Sequence, residues 1–499
     1  MVDHRATELL IAMASPNTAL PHVAHPDCIF VDGRWVPPTS GSRLAVVSAH
    51  SEETIAEIAE AGPEDVDRAA QAARRAFDDG RWSEKTPTER AGYVRKVAEI
   101  LEPRLPELAR AWVEQIGALA SVAPIVVGGG KFWFDYYAGL AETFTWDRQV
   151  PRFDGQGHAH IVREPAGVVA AIAPWNNPFG IMAGKVAPAL VAGCTIVMKP
   201  APETPIEAYI LAEAIEEAGI PDGVVNLVCA DRAASDALVR HPAIDKVSFT
   251  GSVAAGRSIG MACAERFARC TLELGGKSAA IVLEDADIPR TAAILANVIT
   301  MSAGQVCATL SRVVVVDAVH DRLCEAVRAE MAQVTVGHPD DPATRMGPLA
   351  MRRQRDRVND YVAIARSEGA TLALGGSPSA HMDKGWYFDP TLFIDVRPEM
   401  RIAREEVFGP VLTILRASDE AEAVRIANDS DFGLYGAVFC ADPGRAYRTA
   451  RQVRTGTMAH NGFQFDPSLP FGGFKHSGVG REGGEAGLLS FTETKSIIL

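Results

Sequence analysis

From about residue 165 the sequence alternates short β-rich runs with helical stretches. The runs are "GVVAAIAP", "CTIVMKP", "GVVNLVCA" and "DKVSFTGS", and the segments between them include "IEAYILAEAIEEAG". Such alternation places strands side by side in parallel with helices crossing over them, so an α/β fold with a doubly wound sheet is expected. A second alternating region runs from about 278 to 460, through "SAAIVLED", "SRVVVVDAV", "VLTILRA" and "YGAVFCA". Ahead of both, residues 64 to 120 are rich in Ala, Arg and Glu with helical periodicity, and Pro63 stands near the first helical start, where proline is tolerated. A chain of 499 residues exceeds one ordinary core, so two or three units are expected. No internal repeat or low-complexity linker separates them, which predicts tight packing rather than tethering.

Charge narrows the partners. Lys plus Arg number 49 against 63 Asp plus Glu, a net charge of −14, which argues against nucleic acid or an anionic membrane. The eight cysteines (Cys28, Cys194, Cys229, Cys263, Cys270, Cys307, Cys324 and Cys440) form no C-x-x-C pair and no zinc spacing. A reduced, cytoplasmic chain without a bound metal is expected. The apolar patch from Leu9 to Ala14 follows a weak basic region interrupted by Asp3 and Glu8, so no cleaved signal is expected. No apolar run approaches the roughly 20 residues of a membrane span.

Several short stretches carry chemistry. In "AGQVCATLSR", Cys307 lies among small or flexible neighbours, in a helix start or loop rather than an apolar run. "TLELGGKSAA" puts Glu273 in an apolar strand before two glycines, where a carboxylate is costly unless paired or functional; a structural ion pair would also account for it. "APWNNPFG" holds Trp175 and Asn176 between prolines at a strand end, suited to binding a substrate or simply to a turn. "CTIVMKPAPETP" ends a buried strand on Lys199, toward the usual ligand crevice of a parallel sheet, although a solvated loop lysine reads equally well. "DKVSFTGSVAAGRSIG" is a strand, a glycine turn and a helix. Gly251 and Gly256 would let backbone approach an anion and Ser252 could cap the helix, but the spacing is not G-x-G-x-x-G and an ordinary turn fits it too. "REEVFGPV" and "LPFGGFKHSGVGREGG" each read as loops when taken alone.

Taken together, "PWNNP", "FTGS", "LELGGK", "GQVC", "EEVFGP" and "PFGGFKHSG" stand in one order along nearly the whole chain, and in this the sequence resembles the aldehyde dehydrogenase superfamily. The resemblance implies a Rossmann-like NAD(P)-binding domain (residues 1–273, interrupted by bridging strands at about 145–164) and an α/β catalytic domain (274–470). Residues 471–499 would return to the cofactor domain and end in a bridging strand that pairs subunits into a homodimer or homotetramer. Cys307 matches the nucleophile, Asn176 an oxyanion donor and Glu273 the base that activates water on the thioester. Lys185 and Glu482 match a pair that passes the proton to solvent. Pro174, Trp175, Lys199, Gly251, Ser252, Gly256, Leu274, Glu406 and Phe408 match cofactor-binding positions.

The cofactor implied is NAD or NADP, with NAD favoured. Many NAD-preferring relatives carry Glu three residues after the matched lysine; here that residue is Pro202, and Glu203 follows it. The aldehyde tunnel would be lined by Asn177, Gly180, Ile181 and Gly184 on one side and Met301, Val306, Phe463 and Phe465 on the other. Gly180 and Gly184 share one helical face and would leave it bare, and no Arg or Lys falls at these positions. A bulky apolar aldehyde is therefore expected: aromatic, terpenoid or medium-to-long chain. Two rivals stand beside this reading. A CoA-acylating semialdehyde dehydrogenase typically lacks the carboxylate at Glu273, and a silent structural protein on the same fold has no need of Cys307, Glu273 and Asn176 together.

Overall fold

A computed structural model describes residues 22–499; the apolar patch Leu9–Ala14 lies outside the described residues. The fold is α/β, built around two large, mainly parallel sheets. In the first, Arg269–Glu273, Lys246–Thr250, Val168–Ile172, Thr195–Lys199 and Val225–Leu227 lie side by side in parallel. Val168–Ile172 is apolar throughout because both faces are covered. Val169 and Ala171 join one buried cluster, while Val168, Ala170 and Ile172 join the cluster on the opposite face.

Antiparallel strands close both edges of this sheet: Gly478–Val479 at one, Ile29–Val31 and Arg34–Val36 at the other. Ile29–Val31 and Arg34–Val36 come from a segment without strand–helix alternation, which the sequence reading left unassigned, and Gly478–Val479 lies in a stretch read as a loop. The second sheet orders Thr371–Leu374, Thr391–Ile394, Val411–Ala417, Arg312–Val316, Ala279–Val282, Tyr435–Phe439 and Thr457–His460. A three-stranded sheet joins Asp147–Pro151, His158–Pro165 and Thr492–Ile498.

The helical region before residue 120 is more broken than its periodicity predicts. One reading frame covers helix Pro87–Leu101, a 3₁₀ turn Glu102–Arg104 and helix Leu105–Ile116. Pro103 interrupts the first helix because it has no N–H to give, and Pro106 stands in the first turn of the next, where none is needed. Beyond these, helix Ala123–Thr143 packs along helix Pro178–Ala192.

Strand order positions the ligand crevice. From Val168–Ile172 the chain builds outward through Thr195–Lys199 and Val225–Leu227, then returns to add Lys246–Thr250 and Arg269–Glu273 on the other side. The order therefore reverses between Val168–Ile172 and Lys246–Thr250. The loops beyond their carboxyl ends must part there, and ligands bind in that gap in open parallel sheets.

Candidate active site

The gap is a cleft of about 670 Å³. Pro174, Trp175 and Asn176 line it from one strand end, and Thr250, Gly251 and Ser252 from the other. Cys307 and Ile181 lie on its wall, and Glu406 and Phe408 face them from the second-sheet side.

The loop that carries Cys307 is held by contacts from three directions. Met301–Gly304 form a 3₁₀ turn in which Ser302 and Ala303 adopt left-handed φ values of +47° and +51°. Gly304 follows at +73°, and any Cβ there would overlap the carbonyl of Gly409. The small size of this residue thus serves a close backbone approach as well as access to the sulfur. Gln305 is buried; its Nε2 donates to the Ser302 carbonyl at 2.9 Å and its Oε1 accepts the Ala350 N–H at 3.0 Å. Its carbonyl accepts Asn176 Nδ2 at 2.9 Å, which leaves the second proton of that amide free. Gly304→Ala is expected to cost about 1–3 kcal/mol of stability, from the left-handed backbone and the overlap together. Urea unfolding reads this directly, and an unchanged midpoint would mean that the Gly409 segment moves away at no cost.

Burial pushes the Cys307 thiol up to about 12, with the Glu406 and Glu273 carboxylates adding to the effect and the backbone N–H groups of Ala308 and Cys307 opposing it. The resting sulfur is a thiol that must lose its proton when it reacts.

Glu273 ends its strand 3 % exposed, and neither carboxyl oxygen has a hydrogen-bond partner among the described residues. Burial, then the Glu482 carboxylate, holds its carboxyl well above the usual range, against the pull of Lys185 and Arg481. The alternative of a structural ion pair finds no support, because the ion pair here is a different one: Lys185 Nζ to Glu482 Oε1 at 2.5 Å, with the Ser248 hydroxyl donating to the same oxygen at 3.3 Å. Glu482 is brought there by reciprocal backbone hydrogen bonds with Phe471. A Cβ on the intervening Gly472 would lie 2.6 Å from Glu273 Oε1, which is why glycine stands against the carboxylate.

On the cofactor side, Glu406 is half-buried and desolvation raises its carboxyl to about 7, against the Gly276 N–H that it accepts at 2.9 Å. Phe408 has a left-handed φ of +64°, and its ring meets Trp175 edge-on at 5.4 Å. The Glu406–Phe408 turn is gripped by helix Arg352–Ser367: Arg357 Nη2 donates to the Glu406 carbonyl at 2.6 Å, and Gln354 Nε2 to the Phe408 carbonyl at 2.6 Å. Sequence reasoning missed Arg353, Gln354 and Arg357, although all three line the cleft. The only local signal was a charge-rich helix, which reads as a solvated face.

Lys199 is buried at the end of Thr195–Lys199. Ser252 caps helix Val253–Glu265, its hydroxyl accepting the Ala255 N–H at 3.3 Å. Two glycines have local explanations other than an anion. The Gly251 N–H is taken by the Glu273 carbonyl at 2.9 Å, and a Cβ on Gly256 would meet the Leu274 side chain.

The bare helix face expected at Gly180 and Gly184 is not an open gap. Asn177 caps helix Pro178–Ala192 by accepting the Gly180 N–H at 3.2 Å, and a Cβ on Gly180 would lie 2.7 Å from that amide. A Cβ on Gly184 would come within 3.3 Å of the Trp133 indole, so a neighbouring helix supplies the bulk that this helix omits. Trp133 stacks on Tyr137 at 5.9 Å and meets Phe465 edge-on at 6.2 Å, and Phe465 meets Phe471 at 5.4 Å. Phe463 packs on Tyr435 at 4.9 Å, and Met301 and Val306 lie half-buried on either side of the Cys307 turn.

A strand-end cleft with flanking aromatic rings fits a dinucleotide, and a thiol and a side-chain amide line it. Comparison with known proteins agrees with this chemistry. The profile of the Aldehyde dehydrogenase family matches residues 35–497. Geranial dehydrogenase of Castellaniella defragrans is 42 % identical over 472 residues, 94 % of this chain and 98 % of that protein. The 3-succinoylsemialdehyde-pyridine dehydrogenase of a Pseudomonas species is 40 % identical, over 94 % of this chain and 98 % of its own. A crystal structure of Mycobacterium tuberculosis aldehyde dehydrogenase complexed with NAD+ superposes with a TM-score of 0.92 at 40 % identity, covering 95 % of this chain and 98 % of the other. Fold, cleft and sequence thus lead to one conclusion: the chain belongs to the aldehyde dehydrogenase family, whose members are NAD(P)-dependent oxidoreductases that oxidise aldehydes.

Proposed function

We propose that this enzyme converts a bulky apolar aldehyde to the carboxylic acid through a thioester on Cys307. The observation that carries the chemistry is that Cys307 and Asn176, from distant parts of the chain, line one cleft, with the buried Glu273 near enough to raise the thiol. Cys307 attacks the carbonyl carbon: its thiol proton passes to water in the open cleft, the carbon–sulfur bond forms, and the carbonyl π electrons move to oxygen. The oxyanion that forms is stabilised by the free proton of the Asn176 amide and by the Cys307 N–H, which no backbone carbonyl accepts among the described residues. The bound nicotinamide supplies the acceptor for hydride. Glu273 then takes a proton from water as it adds to the thioester, a role suited to a carboxyl whose affinity for protons is raised by burial. The Lys185–Glu482 pair, whose glutamate side chain is 15 % exposed, offers that proton a route outward. A buried carboxyl with no structural partner favours water over coenzyme A as the acyl acceptor, and a CoA-dependent rate would overturn that choice.

The chain would divide at about 273/274 and 470/471, where it passes between the sheets. Subunits would pair through the edge of Thr492–Ile498, whose Ile497 and Ile498 are exposed, and light scattering tests for a dimer or tetramer. The eight free cysteines suit a reducing, cytoplasmic setting, and no described helix is long and apolar enough to cross a membrane.

The aromatic rings of Trp133, Phe465 and Phe471 support the substrate class, as does the lack of a cation at the eight tunnel positions. Geranial, the substrate that names one relative, is an apolar branched aldehyde of this kind. Trp133→Ala is expected to lower kcat/KM for geranial by about tenfold or more relative to propanal, the worth of one well-packed apolar contact. Trp133→Phe should recover part of the loss. Equal losses for both aldehydes would mean that Trp133 only packs the two helices, and the substrate class would lose its main support.

A further inference from the structure

We propose that Arg353 decides how this enzyme treats the adenosine ribose of its cofactor: it holds Glu203 away and, with Lys199, forms a site for a 2′-phosphate. The inference rests on Lys199 marking the ribose end of the cleft. Lys199 ends its strand 7 % exposed, and no hydrogen bond or ion pair engages its ammonium among the described residues. The nearest turn carries Pro202, which has no charge, and Glu203, the one carboxylate between residues 199 and 206. One carboxylate oxygen of Glu203 is already engaged. Its Oε1 lies 2.5 Å from Arg353 Nη2, across 150 residues of sequence.

Arg353 stands in the first turn of helix Arg352–Ser367 and lines the same cleft as Thr250, Gly251 and Ser252. Its side chain is 65 % exposed, so it reaches both the carboxylate and the space over the cleft. Asp231, the other carboxylate near Lys199, is engaged in capping helix Arg232–Arg240 through the Ala234 N–H at 2.9 Å. Two cations and two carboxylates therefore flank the position, with one carboxylate paired to Arg353 and the other capping a helix. A carboxylate facing the ribose would repel a phosphate there; a carboxylate tied to a guanidinium repels it far less, and guanidinium forks bind phosphate well. The sequence alone left the direction of Glu203 open; the ion pair turns it toward Arg353.

The test uses the whole enzyme and two small probes, adenosine 2′,5′-bisphosphate and 5′-AMP, with binding measured by calorimetry. Arg353→Ala should weaken the bisphosphate about tenfold more than 5′-AMP, since it removes one phosphate partner and releases Glu203. Adding Glu203→Gln to that variant should regain part of the loss. The ratio of kcat/KM for NADP to that for NAD should fall in parallel. Lys199→Ala is the control on location, and it should weaken both probes. If Arg353→Ala changes both probes equally or neither, while Lys199→Ala weakens both, the ribose end lies at Lys199 and the role of Arg353 is refuted. If neither variant moves either probe, the ribose lies elsewhere and the proposal falls with its premise.

Discussion

Cys307→Ala is expected to abolish aldehyde oxidation while leaving a folded protein that still binds NAD. The loss should be complete within detection, because no other thiol lines the cleft: Cys194, Cys229, Cys263 and Cys440 are buried, and Cys28, Cys270 and Cys324 lie on other surfaces. A stopped assay at 340 nm reads the activity, and residual turnover above background would sink the assignment. The protonation state of the sulfur gives a second, independent reading. A thiol held near 12 by burial and two carboxyl groups is almost wholly protonated at neutral pH in the free enzyme. Its alkylation by iodoacetamide should therefore climb about tenfold per pH unit from pH 7 to 9, following the thiolate fraction. A plateau below pH 8 would show that the resting site already stabilises the thiolate.

Glu273→Gln separates acylation from hydrolysis. The amide has nearly the same volume, so the contact with Gly472 is kept and only the proton acceptor is lost. Rapid mixing with NAD and aldehyde is expected to give one burst of NADH per active site. Turnover should then slow by about 10²–10⁴-fold, the usual worth of a positioned general base. Intact mass should find the acyl group retained on Cys307. Steady turnover at the parent rate would refute the role. Stability should respond as well. The folded carboxyl titrates above its unfolded value, so its contribution is fully present below about pH 4, the unfolded carboxyl range, and is lost as pH rises through the folded value. The glutamine variant cannot ionise there, so its melting temperature should fall less than the parent's between pH 5 and pH 9.

The chemically exceptional residues were legible because each breaks a local rule. A carboxylate closes an apolar strand at Glu273, a cysteine lies outside any apolar run at Cys307, and an asparagine sits between prolines at Asn176. The parallel strands were legible for a related reason. A strand covered on both faces must be apolar at every position, and that pattern is contained in five consecutive residues. The edge strands Ile29–Val31 and Gly478–Val479 were not, since two or three residues carry no period and their pairing depends on a partner far along the chain.

The same limit separates what the sequence alone determined about this enzyme from what only the tertiary structure decided. Sequence determined the fold class and the family, and through the resemblance it singled out Cys307 and Glu273 as candidates, all of which depend on residue type and order. Tertiary structure decided which side chains fill the spaces between elements. Trp133 covers the flank that Gly184 leaves open, Gly304 is required by the carbonyl of Gly409, and Arg353 pairs with Glu203. Each of these is a contact between segments tens to hundreds of residues apart, made by ordinary side chains in ordinary local settings. A helix or strand period registers which face of its own element is buried, and carries no trace of what another element lays against it.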